Sequence, residues 1–173
     1  RLMAGADTRA TARALASAAE KLGPFDAVFC GCKAIDGETG QVPGELAAAL
    51  GLPCISNAEK VEMAGDGLLV TRRLEGGVQN LTVSGPAVIS FSSYSYPLRL
   101  AGILGMRRAR KTPVEILTAA DLGLTPEDCG LKGSLTKVVA MESRFPGLRR
   151  GPKETDLEAG VQNLRVLLRE VRP

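Results

Sequence analysis

The chain has 173 residues, 45% hydrophobic, 24% charged and only 3% aromatic, with a formal net charge of +3. That composition suits a globular chain with its own core; the charge is too mild and the aromatics too few for a nucleic-acid binder, and no apolar run is long enough to span a bilayer as a helix. Histidine is absent, which excludes Ser-His and Cys-His catalytic pairs and the usual zinc hydrolase sites.

The chain opens on Arg1 rather than Met, and the first element of the fold is expected to be missing. Residues 8–22 are dense in alanine, can be capped by Asp7 or Thr8, and run into Gly23-Pro24; they predict a helix. Residues 26–30 form a short apolar run between turn residues, the pattern of a buried parallel strand. A polar, glycine-bearing loop follows, then a short helix over residues 45–50 with Pro43 near its first turn and Gly51 at its end. Helix, strand, loop and helix in that order are the mark of an α/β fold. Residues 52–56 predict the next strand.

A β-rich section comes next. Residues 59–63 alternate loosely, residues 68–73 predict a strand, and Gly76-Gly77 suits the positive φ angles of a two-residue hairpin before a strand over residues 78–83. Residues 87–91 are one more apolar strand. After Pro97, residues 100–110 predict a short helix whose basic end, Arg107, Arg108, Arg110 and Lys111, complements the helix dipole. Strands are expected at residues 114–117 and 134–141, with a turn or a single helical turn at 119–123. Residues 145–152 form a Gly/Pro/Arg linker. Thr155-Asp156-Leu157-Glu158 is a capping box, and Leu157, Val161, Leu164 and Leu168 fall on one stripe of the helix it opens. The expected organisation is an α/β body over residues 1–144, and a linker and C-terminal helix over 145–173.

The segment with the most chemical content is Gly31-Cys32-Lys33-Ala34-Ile35-Asp36-Gly37-Glu38-Thr39-Gly40-Gln41-Val42. It lies after a parallel strand and before a helix, where ligands bind in open α/β sheets. Gly37 and Gly40 allow close backbone approach to a phosphate. Backbone N–H groups and the helix N-terminus favour an anion, Thr39 and Gln41 supply neutral donors, and Asp36 can accept from a ribose hydroxyl or close an Asx turn. Asp36 and Glu38 are a poor cradle for phosphate, so the contact is assigned to backbone and Thr39. An ordinary connector has the same look, and the loop carries no Walker or dinucleotide fingerprint. The four cysteines, Cys30, Cys32, Cys54 and Cys129, lack paired zinc spacing; they read as small buried or half-buried thiols in a reducing cytosol, and no metal site or catalytic residue is expected.

Taken in order, this loop and three other stretches resemble the electron-transfer flavoprotein β subunit (the β/FixA family). Those stretches are Ala4-Gly5-Ala6-Asp7-Thr8 with Ala10-Thr11; Leu74-Glu75-Gly76-Gly77 with Pro86-Ala87-Val88; and Pro97-Leu98-Arg99 with residues 103–111. The sequence departs from the family pattern at Cys32-Lys33, at Pro43-Gly44 and at the extra residue between Pro97 and Arg99. The resemblance implies a mainly parallel, adenine nucleotide α-hydrolase-like sheet flanked by helices, with a β-hairpin section and a C-terminal helix lying on an α subunit. It implies a heterodimer whose redox FAD lies mainly on that α subunit, AMP or a second FAD held by the β subunit, and cytoplasmic electron transfer from an acyl-CoA or other dehydrogenase to a downstream acceptor. It also places partner docking at Arg99, Ile103, Leu104, Arg107 and Arg108. Each docking residue has a second reading: Ile103 and Leu104 as the core of a short helix, Arg107 and Arg108 as dipole-complementing surface charge. Tyr94 and Tyr96 suit either stacking on a flavin or adenine, or ordinary edge-strand positions. Two other functions stay open: an enzyme of related fold that hydrolyses or transfers adenylate, and a structural subunit without nucleotide.

Overall fold

The computed structural model describes residues 5–93, 95–140, 142 and 155–170. Helix α1 (Thr8–Leu22) starts at Asp7, whose side chain accepts the Ala10 N–H at 2.9 Å, and stops where the Gly23 N–H bonds Ala19 O. Strand β1 (Ala27–Gly31) leads through the glycine-bearing loop to α2 (Val42–Leu50). Helix α2 begins three residues before its predicted start, because Pro43 is accommodated in the first turn, where an N–H is not needed. Gly51 then ends it in a left-handed conformation, φ 65°.

Four strands follow: β2 (Cys54–Ala64), β3 (Gly67–Leu74), β4 (Gly77–Val83) and β5 (Ala87–Phe91). They join β1 in one mixed sheet of order β1-β5-β2-β3-β4. The pairings of β5 with β1 and β2 are parallel; those of β3 with β2 and β4 are antiparallel. The fold is α/β, as the alternation of elements implied, with the last strand of the sequence inserted between β1 and β2.

The structure differs from the sequence reading at four places. The two runs at 52–56 and 59–63 are one bent strand. Asn57 adopts φ 59°, a left-handed conformation that asparagine tolerates better than most residues, and the ladder shifts register there: β2 pairs with β5 before the bend and mainly with β3 after it. In the β3–β4 hairpin, Leu74 faces Gly77, and of the two glycines only Gly77 (φ 137°) has a positive φ. The strands expected at 114–117 and 134–141 are absent; residues 113–118 and 134–140 are irregular, with Val114, Ile116, Val138 and Val139 exposed, and Met141 lies outside the described residues. A short apolar run makes burial favourable but supplies no ladder partner. Helix α3 (Ile103–Lys111) also starts three residues later than expected.

Two clusters form the core. Ala12 and Ala16 of α1 pack with Leu46 and Ala47 of α2 on Val88, with Val28 and Cys30 at the margin. Alanine on the helix faces lets both helices approach closely. Ile55, Ala58, Val70, Ala87 and Ile89 form the second cluster, among the strands.

Polar side chains moor residues 118–136 along α1. Lys21 Nζ donates to Asp121 O at 2.8 Å and Arg13 pairs with Asp128 at 2.8 Å. At the other end Asp7 Oδ2 accepts the N–H groups of Leu135 and Thr136 at 2.8 and 3.0 Å, and the Thr136 hydroxyl at 3.1 Å, while the Asp7 N–H donates to Ser134 Oγ at 2.8 Å. A short helix α4 (Gly130–Gly133) precedes this junction. The chain divides into compact units between Lys137 and Val138. The second unit contains α5 (Leu157–Glu170). Asp156 accepts the N–H groups of Glu158 and Ala159 at 2.8 and 3.1 Å, which caps the start of the helix. Leu157, Val161, Leu164 and Leu168 are exposed, and so are Val166 and Leu167. The expected linker, residues 145–152, lies outside the described residues.

Asp7 therefore caps a helix and ties down a distant segment with one carboxylate. Its pKa is lowered, chiefly by the Ala10 N–H and further by Thr136 and Leu135, against an opposing effect of burial. Asp121 and Asp128 are lowered too, through Thr118 and Thr125. A depressed folded-state pKa contributes stability that is present above the unfolded value and is lost as pH falls through the folded one. Thermal melts should accordingly show stability falling from about pH 5 downward. Asp7→Ala should cost about 2–3 kcal/mol at neutral pH, and Asp7→Asn should flatten part of the acid loss.

Candidate functional site

The loop between β1 and α2 is built at the C-terminal end of a parallel strand, beside the buried C-terminal half of β5. Gly31 is the last residue of β1 and faces Phe91. The chain turns at once: the Glu38 N–H bonds Ala34 O at 3.1 Å, and Asp36 Oδ1 accepts the Gly37 N–H at 2.8 Å. Glu38 (φ 52°) and Gly40 (φ 65°) are left-handed, and a Cβ on Gly40 would lie 3.2 Å from Cys32 O. Gly40 is thus fixed by backbone conformation and by a close approach. Gly37 has a negative φ and open space around it.

The acids in this loop are engaged within it. Asp36 holds the Gly37 amide, and Lys33 Nζ lies 3.4 Å from Glu38 Oε1. Both partners of that ion pair are half exposed, so it adds little stability, but it offsets the Glu38 charge near the helix N-terminus. No side chain caps α2, which leaves N–H groups such as those of Val42 and Gly44 open to an anion. Thr39 is exposed, and among the described residues its hydroxyl has no partner. Ile35, Lys33, Ala34, Glu38 and Gln41 are exposed as well; Cys32 and Val42 are half-buried. All twelve predicted residues therefore line one loop and the helix start that follows it.

Two residues outside the predicted set belong to the same locale. The Thr8 hydroxyl, at the start of α1, lies 3.3 Å from Gln41 Oε1 and 3.1 Å from Glu45 Oε1. Glu45 Oε2 is buried with no hydrogen-bond partner, an acceptor for a ligand hydroxyl. Thr8 was legible only as a cap, since nothing local says that the two helix starts adjoin.

Cys32 links this loop to the chain leaving β5: its Sγ lies 3.4 Å from Ser93 Oγ. That hydrogen bond lowers the thiol pKa, with smaller help from Lys33. Burial raises the pKa of Cys30 and of Cys54. Cys54 is exposed rather than buried in its apolar run, because it stands at the start of β2. All four cysteines are free thiols.

The predicted docking residues lie beyond that turn. Ile103 and Leu104 open α3 and are 68% and 76% exposed, and no residue of α3 is buried, so neither serves as core among the described residues. Arg99, Arg107 and Arg108 are also exposed. Tyr96 stacks edge-on against Phe91, centroids 5.7 Å apart, and its hydroxyl accepts the Val61 N–H at 2.9 Å. Tyr94 lies outside the described residues. Among the described residues, no helix is long and apolar enough to cross a membrane.

A mixed sheet flanked by helices, with a glycine-bearing loop at the C-terminal end of a parallel strand, defines an α/β protein. Residues 1–122 match the electron transfer flavoprotein domain, and the chain belongs to that family. It is similar to an electron transfer flavoprotein subunit beta from Thermoanaerobacterium thermosaccharolyticum, 42% identical over 167 residues, covering 95% of this chain and 63% of the relative. It is similar also to the caffeyl-CoA reductase-Etf complex subunit CarD of Acetobacterium woodii, 33% identical over 80% of this chain and 53% of the relative. Protein FixA of Azorhizobium caulinodans is 39% identical over 80% of this chain and 52% of its own length. The chain thus spans between half and two thirds of the length of these relatives.

The Gly40 geometry generates a test. Gly40→Ala should force the loop out of its left-handed turn at a cost of about 1–2 kcal/mol, and a nucleotide site in this loop predicts that it also reduces the nucleotide retained on purification. Asp36→Ala and Thr39→Ala should each lower occupancy on the scale of one lost hydrogen bond, about 1–3 kcal/mol. Unchanged nucleotide content in all three variants would remove this loop from the site.

Proposed function

We propose that this protein is the β subunit of a heterodimeric electron-transfer flavoprotein: a carrier subunit, not an enzyme, that holds an adenine nucleotide in the 31–42 loop. The observation that carries the reading is that loop: an uncapped helix N-terminus, a left-handed Gly40 and a free Thr39 hydroxyl at the end of a parallel strand, in a chain of this family. These parts fit a phosphate held by neutral donors. Backbone N–H groups, Thr39 and Gln41 would hold the phosphate, and Asp36 or Glu45 would take a ribose hydroxyl. AMP and FAD share that adenylate chemistry. Bound flavin supplies the redox chemistry of such a carrier; the residues of this chain bind, orient and shield. The FAD that exchanges electrons lies mainly on the α subunit.

The partners follow the same reading. The name of the A. woodii relative describes a subunit of a reductase complex, and dehydrogenases, acyl-CoA dehydrogenases among them, are the proposed electron donors here. Arg99, Ile103, Leu104, Arg107 and Arg108 form the docking segment. An exposed apolar pair beside three basic residues suits a small, fast-exchanging interface with an acidic partner. Helix α5 lies on the α subunit through its exposed apolar side chains, and four free thiols suit a reducing cytoplasm.

Ile103→Ala in the heterodimer should slow electron transfer from the dehydrogenase while flavin content, nucleotide content and melting temperature hold. Reversing Arg107 and Arg108 to Glu should lower the association rate and weaken its salt dependence. A sharply lower melting temperature with an unchanged transfer rate per folded molecule would refute the docking assignment. Light scattering gives a second check: expressed without the α subunit, the chain should self-associate, because α5 exposes a broad apolar surface. A cleanly monomeric, cooperatively melting chain would contradict the assignment of α5 to an interface.

A further inference from the structure

Strand β5 ends at Phe91, opposite Ala58 of β2, but β2 continues to Ala64. Its outward N–H and C=O groups beyond that point have no strand beside them. The turn after β5 takes their place. The Ser92 N–H and the Ser95 hydroxyl both bond Ala58 O, at 3.0 and 3.1 Å. The Tyr96 hydroxyl accepts the Val61 N–H at 2.9 Å, and its ring rests on Phe91, which rests in turn on Phe29 at 5.2 Å. Among the described residues, the hydrogen bonds of residues 97 to 117 are internal to the segment, and its large apolar side chains, Leu98, Leu100, Ile103 and Leu104 among them, are exposed. The next tie to the body is at Lys21 and Asp121.

We propose that Tyr96 is the upstream mooring of the docking segment, a positioning residue that sets where residues 97–111 leave the sheet and so how Ile103 and Arg107 meet the partner. This rests on the docking role assigned to that segment. A tether that leaves one end of a binding segment fixed reduces the entropy lost when a partner orders it. Removing the hydroxyl alone, with the ring kept, should weaken the encounter without touching the flavin.

The test is Tyr96→Phe in the full-length heterodimer, read against Ile103→Ala and the double variant. An acyl-CoA dehydrogenase reduced with butyryl-CoA serves as donor, and oxidation of the dithionite-reduced heterodimer by ferricyanide serves as the control reaction that needs no docking. Tyr96→Phe should raise the KM for the dehydrogenase roughly three- to tenfold, the scale of one hydrogen bond. The kcat, flavin content and ferricyanide rate should stay at wild type. In the double variant the two effects should fall short of additive, because both act on one interface. Ser95→Ala, which loosens the same turn at Ala58, should repeat the split if the tyrosine variant folds poorly. Should Ile103→Ala raise KM while Tyr96→Phe and Ser95→Ala leave it unchanged, the mooring is wrong and the docking segment stands. A KM unmoved by Ile103→Ala refutes the docking role and the mooring with it. A loss of flavin or of melting temperature with KM unchanged makes Tyr96 merely structural and overturns the proposal.

Discussion

The parallel insertion of β5 between β1 and β2 is the constraint on which the rest of the structure depends. Ala87, Val88 and Ile89 are wholly buried and Ser90 nearly so. Its two faces serve different cores: Val88 lies under α1 and α2, while Ala87 and Ile89 pack among the strands. Parallel ladders on both sides bring the C-terminal ends of β1 and β5 together. That juxtaposition places the 31–42 loop beside the turn at Ser92–Tyr96, with Cys32 and Ser93 in contact. The proposed nucleotide loop and the proposed docking segment therefore issue from neighbouring points of one sheet, although Cys32 and Ser93 are 61 positions apart. Sites of this kind belong on rigid strands with the variable chemistry carried by loops.

Much of the first half was legible because its signals are local. Alanine density, Asp7 and Gly23 bound α1; the apolar run before Gly31 marks β1; Gly51 ends α2. The loop between β1 and α2 was legible for a similar reason, since its glycines and small polar residues stand between an apolar run and a helix, although β1, expected to be buried, has no buried residue at its place on the edge of the sheet. What stayed hidden depends on distant partners. The residues at 114–117 and 134–140 have the composition of strands, but in the described structure no ladder takes them up; Ser134 and Thr136 instead answer Asp7 more than 120 positions away. The bend at Asn57 was hidden because asparagine in a left-handed conformation leaves no apolar signature. Membership of β5 in the middle of the sheet is a topological fact that its sequence, apolar at nearly every position, states only as full burial.

The electrostatics of the loop explain how an acidic stretch can face a phosphate. Asp36 Oδ1 holds the Gly37 amide and Glu38 pairs with Lys33, leaving the α2 N-terminus and Thr39 for the phosphate of the proposed ligand. Basic charge is concentrated instead on α3, none of whose residues is buried. This separation is physically reasonable for a carrier. A nucleotide that must stay bound is held by many short, neutral, directional contacts, whereas a protein partner that must come and go is drawn by exposed charge that salt can screen.

The most direct measurement is the adenine-to-flavin ratio released by acid from the purified full-length heterodimer. A β subunit that holds its own nucleotide predicts either about two adenines per flavin, if that nucleotide is AMP, or about two flavins per heterodimer, if it is a second FAD. In both cases Gly40→Ala should lower only the share contributed by the β subunit. One flavin and one adenine per heterodimer, unchanged by Gly40→Ala, would contradict the account, because the 31–42 loop would then hold nothing.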